Sequence, residues 1–259
     1  MPEMQKAGDL DDRARVWERA ISAMAGHPVI QRLGPVRIAR LAGLADLWRV
    51  YSQMADNGGD FDARLLEALG VGWRVTEGDA AQIPATGPLL VVGNHPTGGA
   101  EGLIAQALLG RRRDDWRVIG NQMVATLPEY AARQIGVGLQ ADPGRAMIAA
   151  VRHLRAGGSL LMFPAGTVAH WQAGRGYAEA PWHPSAARLA RLCGAAVQPL
   201  QFHAATTLRW KLLSAISRPA RTVLLPRELL AQRGRTVDVA IQPLLTDPAA
   251  IATYFAARA

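Results

Sequence analysis

Residues 89–102 read Leu89-Leu90-Val91-Val92-Gly93-Asn94-His95-Pro96-Thr97-Gly98-Gly99-Ala100-Glu101-Gly102. Four consecutive apolar residues, bounded by turn formers on both sides, predict a strand buried on both faces. A histidine leaves the carboxyl end of that strand, a glycine-rich turn follows, and an acid stands at the start of the next helix. Open α/β sheets build their sites at the carboxyl ends of strands. Histidine takes a proton near neutral pH, and a neighbouring carboxylate fixes its tautomer and raises its basicity. The amides of Gly98 and Gly99, at a helix start, are candidates to hold an anion or a developing oxyanion. The plainer reading is a loop histidine followed by a helix-favouring Glu101.

The grammar around this stretch is alternating. Helices are expected over 100–110, 128–135, 143–156, 184–192 and 247–258. Strands are expected over 116–119, 159–163, 197–202, 223–225 and 237–241. Such alternation predicts an α/β fold, a sheet with helices on both faces. Upstream of Ile83 the apolar spacing is helical, as in Val16, Ala20, Ala23 and Met24 and again in Leu41, Leu44, Ala45, Leu47 and Trp48. The expected organisation is therefore an N-terminal helical segment, 1–82, on an α/β core, 83–259.

The chain has 259 residues, 49% of them hydrophobic and 19% charged, which excludes disorder, collagen and coiled coil. One cysteine, Cys193, excludes an internal disulfide and a cysteine-cluster zinc site. The net charge of +8 is uneven: residues 1–82 carry 10 bases and 12 acids, residues 170–259 carry 11 and 4. The C-terminal third is expected to attract something anionic: an acidic carrier protein, an anionic bilayer surface or nucleic acid. No charge-free apolar stretch of about 20 residues predicts a spanning helix, and the charged start predicts no signal peptide. Work on lipids is expected to proceed from the membrane surface.

A second strand runs into a turn at Leu160-Leu161-Met162-Phe163-Pro164-Ala165-Gly166-Thr167, and two such strand ends can face one cleft. HExxH, GxSxG and GxxxxGK[ST] patterns are absent, so zincin, serine-hydrolase and P-loop readings lose their markers. Arg111-Arg112-Arg113, followed by two aspartates, reads as a solvated loop. Residues 206–221 mix Leu208, Trp210, Leu212, Leu213 and Ile216 with Arg209, Lys211, Arg218 and Arg221. That pattern suits a membrane interface or a helix packed on the sheet, and its periodicity does not separate the two.

Together the two strand-end motifs resemble the glycerolipid acyltransferase superfamily, the PlsC-like lysophospholipid acyltransferases. The nearer likeness is to the bacterial hemolysin-like branch, which includes ornithine-lipid and other amino-acid-lipid O-acyltransferases. It rests on Asn94 to Glu101, on Phe163 to Gly166 and on Pro181-Trp182-His183-Pro184-Ser185 with Arg188-Leu189-Ala190. It continues through Gln198-Pro199-Leu200 and Leu225 to Leu230 with Arg233 to Val237. The resemblance covers about residues 60–245. It implies a glycerol-3-phosphate acyltransferase-like fold, with a mixed, mostly parallel sheet flanked by helices.

The implied activity moves a fatty acyl group from acyl carrier protein or acyl-CoA, as co-substrate, to a lysolipid hydroxyl. His95 is then the general base and Glu101 its partner. Asn94, Gly98, Gly99, Phe163, Pro164, Gly166, Thr167 and Arg175 are the implied substrate-binding residues, with no metal and no cofactor. The implied location is peripheral, on the cytoplasmic face of the bacterial inner membrane. The sequence departs from the general family motif in three ways: the acid comes one residue later and is Glu, Ala165 follows Phe163-Pro164, and no arginine follows Gly166-Thr167 or Gly120-Asn121-Gln122-Met123-Val124. Arginine is the preferred bidentate phosphate ligand. Its absence favours an amino-acid lysolipid over lysophosphatidic acid, unless Arg145 or Arg175 substitutes. A non-catalytic lipid- or acyl-carrier-binding protein of the same fold is the second reading, and nucleic-acid binding has only the charge in its favour.

Overall fold

A computed structural model describes residues 37, 40–54, 59–121, 124, 127–137, 142–214 and 218–259. The helical spacing of Val16, Ala20, Ala23 and Met24, and residues Gln122, Met123 and Ile216, lie outside the described residues.

Seven strands form one sheet: β1 (Gly72–Glu77), β2 (Leu89–Gly93), β3 (Trp116–Asn121), β4 (Gln134–Val137), β5 (Ser159–Met162), β8 (Ala196–His203) and β9 (Thr236–Ile241). Their order is β1-β9-β8-β2-β5-β3-β4. Neighbours are parallel except β8 and β9. β6 (His170–Gln172) and β7 (Gly176–Ala178) form a separate antiparallel hairpin. The helices are α1 (Leu44–Gln53), α2 (Phe61–Leu69), α3 (Ala100–Gly110), α4 (Pro128–Ala131), α5 (Pro143–Arg155), α6 (Ser185–Cys193), α7 (Leu208–Leu213), α8 (Arg218–Leu230) and α9 (Pro248–Ala256). This is the expected mixed, mostly parallel α/β fold.

The sheet is covered on both sides. Leu89, Val91 and Leu161 face α2 and α3 through Leu66, Leu69, Ile104 and Leu108. Leu90, Val92, Leu160 and Val197 face α5, α6 and α9 through Ala150, Leu154, Leu189 and Phe255. Alternate residues of β2 thus enter two different cores, which is why the run has no polar position.

Four expectations change. Val223–Leu225 is helical, inside α8, which carries Pro226. Three apolar residues do not fix a period; in α8 Leu225 and Leu229 pack on Gly98 and Gly99, at helical spacing. The expected helix 128–135 stops at Ala131, and Gln134–Val137 forms edge strand β4. The N-terminal segment is not wholly helical: β1 lies within it and pairs with β9. Arg113 is not solvated. Its buried guanidinium binds Asp115 at 2.7 and 2.8 Å and the carbonyls of Pro84, Gly87 and Gly157, tying three loops together.

Candidate active site

β2 lies between β5 and β8, parallel to both, so three chain segments leave the same edge of the sheet side by side. Val92 is level with Met162 and with Pro199. The residues that follow are Asn94-His95, Phe163-Pro164 and Phe202. The two strand ends singled out in the sequence do face one another.

Asn94 locks this edge. Its Nδ2 donates to the Phe202 carbonyl (2.9 Å) and its Oδ1 accepts from the Phe202 amide (2.7 Å). Both polar atoms are engaged by the backbone of β8, so Asn94, expected as a substrate-binding residue, ties the histidine loop to the neighbouring strand. Gly93 is required just before it, because a Cβ there would lie 2.8 Å from Phe202 Cε2.

His95 lies between three fixed groups. Its ring stacks on Phe163, with centroids 4.2 Å apart and planes 17° apart. Its Nδ1 approaches Glu101 Oε1 to 3.0 Å, with an N–H direction bent away from ideal hydrogen-bond geometry. Its backbone amide donates to Glu179 Oε1 at 2.8 Å. A proton held at Nδ1 by the carboxylate leaves Nε2 as the basic nitrogen.

Glu101 is fully buried in the first turn of α3. Its Oε1 accepts from the Thr97 amide (2.8 Å) and the Gly98 amide (2.7 Å), and its Oε2 accepts from Thr97 Oγ1. Burial alone would raise its carboxyl, but His95, Thr97 and the Gly98 amide together hold it below the ordinary carboxylate value. The extra residue in the motif is absorbed by the Gly98–Gly99 turn, and the longer Glu side chain reaches His95.

Of the two amides expected to hold an anion, that of Gly98 is already bonded to Glu101. Both glycines lie beneath α8. A Cβ on Gly98, whose φ is +87°, would meet Leu225 Cδ2 at 2.2 Å, and one on Gly99 would meet Leu229 at 3.2 Å. The glycines admit the helix that covers the loop.

The second loop closes through Gly166 N to Phe163 O (2.9 Å), while the Pro164 carbonyl accepts from the His183 amide (2.9 Å). Gly166 is exposed and Thr167 half-buried; Val168 is buried beside Gly98. Arg175 is exposed in the turn of the β6–β7 hairpin, away from its root, where its amide donates to Gln172 O. The hairpin root is fastened to the histidine loop by Ala169 N to His95 O (2.9 Å) and Tyr177 Oη to Pro96 O (3.4 Å).

Sequence reasoning missed Glu179. Burial pushes its carboxyl above the usual range, against the lowering effects of the His95 amide, Trp182 and the His95 ring. It stands 84 positions from His95, and no local pattern marks it. A small cavity of about 120 Å³ lies between α7 and α8, lined by Trp210, Leu213, Leu224 and Arg227. It opens on a neighbouring face of α8 and does not include His95. Among the described residues no group of three or more His, Cys, Asp and Glu is placed to hold a metal ion.

Comparison with curated proteins finds no match. Among solved structures, the 1-acyl-sn-glycerophosphate (LPA) acyltransferase PlsC from Thermotoga maritima is similar at 19% identity and a TM-score of 0.46, over 78% of this chain and 69% of that one. The sequence model of the acyltransferase family matches residues 74–203, half of the chain, from β1 to the end of β8 and including both motif loops. The chain belongs to the acyltransferase family.

Proposed function

We propose that this acyltransferase moves a fatty acyl group from an acyl carrier protein or acyl-CoA thioester to a hydroxyl of a lysolipid, the favoured acceptor being lyso-ornithine or another amino-acid lysolipid and the next lysophosphatidic acid. The observation that carries it is the His95–Glu101 pair, 3.0 Å apart, with the imidazole stacked on Phe163. His95 Nε2 takes the acceptor hydroxyl proton. The oxygen so freed bonds to the thioester carbonyl carbon, the tetrahedral intermediate collapses, and the C–S bond breaks. The leaving thiolate takes the proton back from the imidazolium. Glu101 stabilises that transient cation by its buried charge and keeps the ring in the productive tautomer.

The acceptor preference rests on charge. Two carboxylates, Glu101 and Glu179, flank His95. An anionic phosphate acceptor is disfavoured beside them and an amine-bearing head group is favoured. Arg175 and Arg145 are both exposed, and Arg145 lies 3.6 Å from Asp142 on α5. The reading places the enzyme peripherally on the cytoplasmic membrane face.

The test is a donor-by-acceptor panel. Purified protein is given labelled palmitoyl-carrier protein or palmitoyl-CoA with lyso-ornithine lipid, lysophosphatidic acid or buffer. Product on lyso-ornithine lipid above that on lysophosphatidic acid is expected. A preference for the phosphate acceptor contradicts the charge argument, and no product with any pair contradicts the activity.

A further inference from the structure

Within the segment 206–221, Leu208–Leu213 forms α7, a short helix with two unlike sides. On α7, Trp210 is buried, and its indole Nε1 donates to Ala169 O at 3.1 Å. Leu208 and Leu212, four residues apart, are 71% and 66% exposed, and Arg209 and Lys211 beside them are exposed as well. The bland reading, an apolar face packed on the protein, accounts for Trp210 and not for the two leucines.

The β6–β7 hairpin extends this face. Trp171 is directly opposite Tyr177 across the hairpin, so both side chains stand on one side of it. Lys211 Nζ lies 5.4 Å from the centre of the Tyr177 ring, which brings α7 to that side. Trp171 is 55% exposed. Three large apolar side chains and two cations therefore share one surface, with Arg175 at the hairpin turn beyond them.

The C-terminal third carries 11 bases against 4 acids, and each of those acids has its own partner in the fold. Glu179 accepts from the His95 amide and Glu228 accepts from Thr207 N and Oγ1. Asp238 pairs with Arg74, and Asp247 caps α9. Exposed leucine and tryptophan set among Arg and Lys, in a region of net positive charge, match a surface that is apolar inside and anionic at its rim.

We infer that α7 and the β6–β7 hairpin dock this protein on an anionic bilayer, through Trp171, Leu208 and Leu212 with Arg209, Lys211 and Arg175. The inference deepens the proposed function, on which it rests only for what is drawn from the membrane. The docking face is joined to the catalytic loop by two short links: Trp210 to Ala169 to His95, and Tyr177 to Pro96. Docking there brings the histidine loop to head-group level, where a lysolipid hydroxyl lies.

The test uses the full chain and vesicles that hold neither donor nor lysolipid, so that its outcome is independent of acyl transfer. Sedimentation is measured with phosphatidylglycerol/phosphatidylcholine vesicles and with phosphatidylcholine alone, for wild type, L208S/L212S and R209Q/K211Q. Circular dichroism and melting confirm that the variants fold, as their side chains are exposed. Wild type is expected to bind the anionic vesicles well above the neutral ones. R209Q/K211Q is expected to bind them about thirtyfold more weakly, each cation near such a surface contributing about a factor of five. L208S/L212S is expected to lose at least about tenfold by losing the two inserted side chains. Wild type that ignores anionic vesicles, or variants that bind as wild type does, would overturn the proposal. So would variants that keep vesicle binding and lose only an acidic carrier protein.

Discussion

The imidazole of His95 lies flat on the Phe163 ring, centroids 4.2 Å apart, and this contact joins the ends of two neighbouring parallel strands. Phe163 touches Phe202 in turn, at 6.4 Å between centroids. The plane of the ring is set by the end of β5, while Glu101 sets its rotation. An imidazole held from two directions loses little freedom when substrate arrives.

Glu101→Gln tests the charge half of that arrangement. The substitution keeps shape but removes the anion beside the imidazolium. The rate constant kcat is expected to fall about 10²- to 10⁴-fold, the range of positioned acid–base catalysis, with KM for the donor little changed. Stability is expected to drop by roughly 1–3 kcal/mol, because an amide NH₂ would face the donors of Thr97 or Gly98. Urea unfolding and steady-state kinetics separate the two effects.

Two buried carboxylates give stability opposite dependences on pH. Glu101 is held below its ordinary value chiefly by His95, against burial, so its contribution is complete above the unfolded value of 4.5 and is lost as pH falls through the folded one. Asp62, buried in α2 and accepting from Tyr130 Oη, is pushed up to about 7, mainly by burial. Its folded form prefers the proton, so stability present below 3.8 is lost as pH rises through about 7. Asp62→Asn is expected to flatten the loss between pH 4 and 7, on the order of 4 kcal/mol at most. Urea midpoints across that range check it; an unchanged slope contradicts it.

Gly98 and Gly166 both have positive φ, +87° and +62°, but differ in surroundings. A methyl on Gly98 would collide with Leu225 and Val168, whereas one on Gly166 meets open space. Gly98→Ala is expected to cost about 3 kcal/mol or more, strain and overpacking together, and to abolish acyl transfer. Gly166→Ala is expected to cost only about 1–2 kcal/mol. Equal losses in chemical denaturation would refute the close approach of α8.

Glu179 accepts from the backbone amide of His95, which in the proposed reaction makes it a positioning residue. Glu179→Gln keeps an acceptor for the His95 amide, whereas Glu179→Ala leaves that amide unpaired. Glu179→Ala is expected to lower kcat more than Glu179→Gln and to cost roughly 1.5–3 kcal/mol of stability. Glu179→Gln is expected to narrow the preference for an amine-bearing acceptor, which a purely structural carboxyl would not move.

The central strands were legible because both faces are buried. Leu89–Val92 and Leu160–Met162 carry no polar side chain, and a short apolar run closed by turn formers at both ends reads as a strand. The periphery was not legible. β1 is an edge strand with mostly exposed residues, and β6 and β7 are three residues each. At such lengths the two-residue period barely repeats. The His95–Glu101 pair was readable because six positions separate its members across one turn. Its supports were not: Glu179 and the Phe202 backbone come from strands and loops far along the chain. The packing on Gly98 and Gly99 was not legible for a related reason. The sequence marks them as turn formers, and only the packing of α8 shows what presses on them.

The most direct measurement is acyl transfer to lyso-ornithine lipid by wild type and His95→Ala, with both proteins shown to be folded. The account predicts acylated product from wild type and a rate lower by at least about 10² in His95→Ala, with donor binding retained. Equal rates in the two proteins would contradict the assignment of His95 as the base.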